Sequence, residues 1–189
     1  MKTRPFFIAT LVSAILQGLY YVIVTGLTLL FLPNMLETFV QDVPTSGGPP
    51  PEIFNFMGVS ILFSLISLVL TFFVHTGTGI FYAWLHRRED RPVSAEQGAL
   101  GGAASAFTAR FVAGLLTAAG ALVVSNIMMT TLSNAGVPEL AAPTNLPPMF
   151  LVANSLTTVV GSLFSACFGS IVAAALGALG GALTGAILK

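Results

Sequence analysis

Four stretches of this sequence contain no Asp, Glu, Lys or Arg, and each is longer than a membrane-spanning helix needs to be. They cover residues 5–36, 53–85, 111–138 and 140–188. About 20 apolar residues are enough to cross a hydrocarbon core of about 30 Å. The sequence therefore predicts an all-α integral membrane protein, a four-transmembrane-helix bundle without a soluble domain.

The composition agrees with a membrane location and excludes several functions. Charged residues make up 7% of the chain and hydrophobic residues 55%, whereas about 25% of the residues in a soluble domain are charged. The net charge is zero, so nothing indicates a nucleic-acid partner. Cys167 is the single cysteine, which excludes a disulfide within the chain and a zinc site built from its thiolates. Without an acid–base pair, a metal constellation or a nucleotide-binding loop, we expect no enzymatic activity, no catalytic residue and no metal site.

Proline residues and one capping motif set the expected limits of the helices. Pro33 is expected to end the first helix, because proline lacks the amide hydrogen that a helix interior needs. Ser94 and Gln97 match a capping box and are expected to begin the third helix. We therefore expect a single membrane domain. It covers residues 1–189, with helices at about 5–32, 53–86, 95–132 and 149–188, outer loops at 33–52 and 133–148, and a cytoplasmic loop at 87–94.

The basic residues predict how the bundle is oriented. With four helices, the basic residues near the helix ends all fall on one side of the membrane. The charged residues of the outer loops, by contrast, are all acidic. By the positive-inside rule, we expect both termini and the 87–94 loop to be cytoplasmic. The richness in glycine and alanine points to a multi-pass protein of a bacterial inner membrane. The basic residues are Lys2, Arg4, Arg87, Arg88, Arg91 and Lys189, and the acidic ones are Glu37, Asp42, Glu52 and Glu139.

Small residues recur at every fourth position of the long third and fourth helices. Residues four apart lie on one face of a helix, and small faces let helices pack closely in lipid. The hexapeptide Gly-Ala-Leu-Gly-Gly-Ala also occurs twice, at 98–103 and 177–182. We expect the two copies to meet between antiparallel helices, with chance in a Gly/Ala-rich chain as the alternative. The expected packing residues are Gly98, Gly102, Gly114, Gly161, Gly169, Gly177, Gly181 and Gly185.

Arg110 interrupts the small face of the third helix. An arginine within a membrane span is a functional hypothesis by default. Counting from the expected outer end places it about 33 Å inward at 1.5 Å per residue, near the inner edge of the hydrocarbon and level with His75. Since no carboxylate lies at that depth, we expect Arg110 to contact an anion or a lipid headgroup. Snorkelling of the side chain to the lipid phosphates is the simplest form of this contact.

A stripe of small and polar residues runs along the second helix and includes His75. Because Thr71 and Gly79 lie one turn to either side of it, the histidine leaves room for a flat ring such as a chlorin or haem. The alternative is a neutral histidine bonded to a carbonyl of the next helix. No cofactor is predicted beyond this hypothesis. The stripe consists of Ser60, Ser64, Ser67, Thr71, His75 and Gly79.

Three functions are compatible with these patterns. The first is a non-catalytic subunit that packs in and stabilises a larger membrane complex, with other membrane subunits and lipids as partners. The second is a small anion or solute transporter or channel that uses Arg110 and the polar stripe of the second helix. The third is a pigment- or haem-binding subunit with His75 as a ligand.

The length of the helices favours the first function. A fourth helix that is unbroken to residue 188 would run about 60 Å, roughly twice the hydrocarbon core. We expect the inner helix ends to extend past the hydrocarbon, where a partner subunit would cover the apolar side chains. A break near Gly169 and Ser170, followed by a fifth crossing, is the alternative. The side chains to be covered are Leu176, Leu179, Leu183 and Ile187.

Overall fold

The computed structural model describes residues 3–41, 51–89, 92–134 and 148–188. Four α-helices make up nearly all of this part of the chain. They are α1 (Thr3–Gln41), α2 (Pro51–Arg87), α3 (Ala95–Asn134) and α4 (Pro148–Ile187).

Each helix contains a segment that is long and apolar enough to cross a membrane. The segments have mean hydropathies between 1.6 and 2.0. This confirms the prediction of an all-helical, multi-pass membrane protein, while its sidedness stays a prediction. The segments are Thr3–Leu30, Ser64–Arg87, Ala95–Ile127 and Leu156–Ile187.

The helix limits differ most from the expected ones in α1. This helix continues through Pro33 to Gln41, whereas we expected it to end at Leu32. Proline removes one backbone hydrogen bond, and α1 nevertheless remains helical beyond Pro33 to Gln41. The remaining limits lie within two residues of the predicted ones, and Pro51 and Pro148 occupy first turns, which suit proline. The rest of the predicted outer loops, residues 42–50 and 135–147, lies outside the described residues.

The start of α3 carries the predicted capping box. The backbone amide of Gln97 donates to the Ser94 hydroxyl at 3.2 Å, and the Ser94 amide donates to the Gln97 side-chain oxygen at 3.4 Å. These two bonds satisfy amides that the first turn of a helix cannot pair internally. They place the beginning of α3 directly after the charged loop.

Two contacts and the short link from α2 to α3 define the topology as up-down-up-down. Thr78 of α2 bonds to Ser13 of α1, and Gly181 of α4 lies against Gly98 of α3. The N-terminal ends of α1 and α3 therefore lie beside the C-terminal ends of α2 and α4, and we name this the terminal end of the bundle. The pair α3–α4 makes the most extensive contact, α2 and α3 meet across the short diagonal, and α1 and α4 occupy the long diagonal.

Five glycines bring three helices together near the terminal end, and we name them the glycine junction. Gly98 faces Gly181 and Gly102 faces Gly177, so the two copies of the repeated hexapeptide lie against each other. A Cβ on Gly102 would also lie 2.9 Å from the Cα of Gly79 of α2. Real Cβ atoms essentially never approach other atoms so closely, so these backbones touch without intervening side chains.

The other glycines of the predicted small faces behave differently from one another. A Cβ on Gly114 would lie 3.1 Å from the Cα of Ala166, and one on Gly185 would lie 2.8 Å from the carbonyl oxygen of Ser94. A Cβ on Gly161, by contrast, would meet no described atom within 4 Å. The structure therefore gives no support to the expected packing role of Gly161, because this face of α4 looks into open space among the described residues.

The helix α4 is continuous over its 40 residues. It passes without a break through Gly169 and Ser170, and the Ser170 hydroxyl bonds to the Ala166 carbonyl of the same helix at 2.6 Å. At 1.5 Å per residue the helix measures about 60 Å. This excludes the break that a fifth crossing would require.

Candidate functional site

Arg110 crosses from α3 towards two other helices. Its Nη1 donates to the hydroxyl of Tyr21 on α1, and its Cζ lies 5.4 Å from the centre of the Tyr21 ring. A Cβ on Gly169 of α4 would lie 3.0 Å from Nε and 3.3 Å from Nη2 of the arginine. Gly169 thus makes room for the guanidinium group, and not for the backbone of another helix.

The charge of Arg110 is distant from the described carboxylates. Glu96 lies 14 residues before it on the same helix, about 21 Å along the axis. Glu37, Glu52 and Glu89 lie near the ends of their helices. A guanidinium group has five N–H donors, and Tyr21 is the one hydrogen-bond acceptor that the described residues give it. The described residues therefore leave donors of Arg110 unpaired, and its contact with an anion or a lipid headgroup stays a prediction.

A cavity of about 600 Å³ lies between α1, α2 and α4, directly beside Tyr21. Its polar lining comes from two tyrosines of α1 and from three residues of the polar stripe on α2. Since Tyr21 both lines the cavity and accepts the hydrogen bond from Arg110, the arginine and the stripe belong to one site. The lining residues are Tyr20, Tyr21, Val24, Ser64, Ser67, Leu68, Thr71, Phe72, Val172 and Leu176.

The cavity is open towards the surface of the bundle that faces lipid. Leu68 of α2 is 69% exposed, and Phe72 and Val172 at its rim are also exposed. Its apolar walls are those of a typical ligand site, which combines a mostly apolar lining with a few polar groups. The cavity is therefore accessible from the side of the bundle, and Tyr21 and the hydroxyl groups are its polar groups.

His75 lies closer to the terminal end than the cavity and does not line it. Its side chain is 1% exposed, and it stands one turn from Gly79 in the glycine junction. The described contacts do not join it to Arg110, which the sequence placed at the same depth. Gly79 and Gly102 touch and therefore lie at one depth. Counted away from the terminal end, Arg110 lies two turns beyond Gly102, whereas His75 lies one turn beyond Gly79, so the two side chains start at different depths.

The packing around His75 does not accommodate a chlorin or haem. A histidine that ligates the metal of a chlorin or haem needs space beside its nitrogen for that macrocycle. The His75 side chain is instead enclosed where α2 meets its neighbours. A planar ring would have to separate helices whose backbones touch at Gly79 and Gly102. The geometry thus favours the histidine as a group of the protein interior.

Buried polar groups surround the level of His75, and we name Ser13, Gln17, His75, Thr78 and Ser105 the polar layer. All five side chains are buried. The Ser13 hydroxyl accepts from Thr78 at 2.9 Å and from the Gln17 amide at 3.0 Å. Gln17 Oε1, His75 Nδ1 and Ser105 Oγ have no hydrogen-bond partner among the described residues.

The polar stripe of α2 continues beyond the residues that sequence reasoning identified. Towards the terminal end it passes through Thr78 and Tyr82 to His86, and all three side chains are buried. The rings of Tyr82 and His86 are 5.9 Å apart, and Tyr82 packs directly on Gly101 of α3. Steps of three and four residues, the spacing of one helix face, could have identified this extension.

Sequence reasoning missed other members of the site for different reasons. Nothing in the sequence linked Tyr21 to Arg110, 89 residues away. Ser13 and Ser105 are single hydroxyl groups in apolar helices, and such residues are common in membrane spans. Only the helix register places them in one layer.

The sequence matches no protein-family model, no curated protein and no solved structure.

Proposed function

We propose that this chain is a non-catalytic subunit that packs in and stabilises a larger membrane protein complex. The observation that carries the proposal is an apolar surface at the terminal end. Leu179, Leu183 and Ile187 of α4 are between 58% and 79% exposed, and Leu100 of α3 is 63% exposed. We name these four residues the terminal apolar surface.

The level of this surface in the bundle argues for a protein partner. Gly185 packs on Ser94, so Leu183 and Ile187 lie beside the polar start of α3 and its Glu96. Charged residues at a helix end mark the headgroup layer or water, and not the hydrocarbon. Apolar side chains at that level remain in contact with water unless another chain covers them.

The helix lengths lead to the same expectation. The helices α2, α3 and α4 have 37, 40 and 40 residues, or about 55–60 Å. Even a tilt of 40° leaves a 60 Å helix spanning about 46 Å, against a hydrocarbon core of about 30 Å. Some of each helix therefore projects, and the partner we expect is an apolar helix surface of another membrane subunit.

Blue-native electrophoresis of native membranes tests this function. The wild-type chain should migrate in a complex much larger than its 19.6 kDa, and Leu183→Ala with Ile187→Ala should release it. The control is Leu116→Ala with Phe164→Ala, which shortens equally exposed side chains away from the terminal end. Migration of the wild type as the lone chain would contradict the proposal.

A second function, passage of an anion or polar solute, has support from one specific observation. Arg110 bonds to Tyr21 at the wall of a cavity whose other polar groups are Tyr20, Ser64, Ser67 and Thr71. Fixed donors and a positive charge beside a membrane cavity are typical of anion pathways. Many transporters use helices that are broken inside the membrane, and the proposed passage does not require such breaks.

Flux into liposomes tests the second function. Arg110→Ala should reduce uptake of the conducted anion, because it removes the cationic side chain that bonds to Tyr21 in the cavity wall. Arg88→Ala is the matched control, since Arg88 lies at the terminal end over the Trp84 ring, 4.0 Å from its centre. Equal flux in the wild type and in both variants would exclude this function.

In both functions we propose a multi-pass protein of a bacterial inner membrane. Arg87 and Arg88 would then lie in the cytoplasm with both termini. The positive-inside rule and the four spans support this orientation.

A further inference from the structure

The polar layer brings together side chains from three helices at one depth. The bond between Thr78 and Ser13 fixes the register of α1 against α2. One turn further from the terminal end, Gln17 on α1 and His75 on α2 are therefore level with each other. The contact of Gly79 with Gly102 likewise fixes α3, and Ser105 lies one turn further in the same direction.

Three atoms in this layer are buried without a hydrogen-bond partner among the described residues. They are Gln17 Oε1, His75 Nδ1 and Ser105 Oγ, in side chains that are 7%, 1% and 0% exposed. Buried polar groups are nearly always hydrogen-bonded, to protein or to ordered water. In a membrane the requirement is stricter, because lipid offers no partner.

We propose that Gln17, His75 and Ser105 form an internal water site, through which His75 exchanges its ring proton with bulk water. A water molecule accepts from one group and donates to others, and buried waters typically make about three such bonds. The site meets this requirement with a carbonyl acceptor, a ring nitrogen and a hydroxyl group. It goes beyond both proposed functions and depends on neither.

The stripe on α2 provides the route to the solvent. Tyr82 and His86 continue from the layer to the terminal end, with their rings 5.9 Å apart. On the other side Thr71 lies one turn from His75 and lines the cavity. Water in the layer would therefore lie between the cavity and the terminal end, in a position to relay protons along the helix.

Few titratable groups face His75. The layer residues of α1 and α3 are a serine, an amide and a serine, and none of them titrates. Arg110 is the charged group of α3 at the next level, and its guanidinium is directed to Tyr21. On α2 itself the titratable neighbours are Tyr82 and His86. Exchange at His75 therefore reports on its contact with water and not on a neighbouring acid.

NMR of histidine-labelled protein in nanodiscs tests the proposal. The chain has two histidines, and comparison with His86→Asn assigns the labelled signal of each ring. In the chain that keeps both histidines, where the route through His86 is intact, we expect magnetisation to pass from water to the His75 ring. Ser105→Ala should slow the exchange severalfold, whereas Ser170→Ala should leave it unchanged.

Ser170 is a matched control because it is buried as completely as Ser105, yet its hydroxyl is bonded to the Ala166 carbonyl. If Ser105→Ala does not fold, Gln17→Met serves as the second variant, with the same expected slowing. Absence of any transfer from water to His75 would overturn the proposal, since the layer would then be dry. An exchange rate that is equal in Ser105→Ala and Ser170→Ala would overturn the assignment of Ser105 to the water site.

Discussion

A single methyl group at Gly181 should loosen the bundle more than its size implies. A Cβ at this position would overlap the carbonyl oxygen of Gly98 and lie 2.6 Å from the carbonyl carbon. Backbone atoms cannot rotate away as the end of a flexible side chain can, so Gly181→Ala must separate α3 from α4. Because Gly79 and Gly177 belong to the same junction, the separation disturbs contacts of α2 as well.

The magnitude follows from two opposing terms. Replacing glycine by alanine within a helix stabilises it by about 0.5–1 kcal/mol. Overpacking of a well-packed contact costs about 1–3 kcal/mol, occasionally more. Gly161 provides the matched control in the same helix, since a Cβ there meets no described atom within 4 Å. Gly161→Ala should therefore raise the free energy of unfolding by the helix term alone. Gly181→Ala should gain the same helix term but lose more through overpacking, so its free energy of unfolding should fall.

Thermal unfolding in detergent, followed by circular dichroism, measures the difference. For a chain of this length, 1 kcal/mol corresponds to about 2–4 °C in Tm. We expect Gly181→Ala to melt below the wild type and Gly161→Ala to melt at or slightly above it. Equal melting temperatures for the two variants would refute the conclusion that the backbones of α3 and α4 touch at the junction.

Three further predictions concern the arginine and the orientation. Tyr21→Phe removes the acceptor for Arg110 and should lower the free energy of unfolding by about 1–3 kcal/mol, because a charged, part-buried donor loses its hydrogen bond. Tyr20→Phe, in the same cavity wall, should have no such effect in the same denaturant titration. Arg110→Lys should lose the contact with the Tyr21 ring, since an ammonium group lacks the planar stacking surface of guanidinium, and its unfolding free energy should also fall. With Cys167→Ser as background, a cysteine introduced by Lys189→Cys should resist labelling by an impermeant thiol reagent outside intact cells; labelling would place the C-terminus on the outer side.

The number and type of helices were predictable because charge is so costly in lipid. Four uncharged stretches lead directly to four spans, and the capping box at Ser94 and Gln97 locates the start of α3 within the chain. The end of α1 was not predictable by the same reasoning. A proline inside a helix can kink it or end it, and the sequence pattern does not distinguish the two; α1 continues past Pro33 to Gln41.

The candidate site was predictable in its components and not in its arrangement. Arg110 and His75 are conspicuous as single charged or titratable groups in apolar stretches. Their partners depend on the rotation of each helix about its axis, which a short residue spacing does not determine. Gly161 and Gly169 illustrate this, since both follow the four-residue spacing, yet one faces open space and the other faces Arg110.

The repeated hexapeptide gives the contact between α3 and α4 a local twofold symmetry. A Cβ on Gly98 would overlap the carbonyl oxygen of Gly181, and a Cβ on Gly181 would overlap that of Gly98; Gly102 and Gly177 repeat the relation. The distance between the two helix axes is therefore one shared quantity, set equally by both copies. A methyl group in either copy enlarges this distance, and a second methyl in the symmetry-related position then enters space that is already open. Substitutions in such a contact should combine with less than additive cost, so the two copies of the hexapeptide behave as one coupled packing contact.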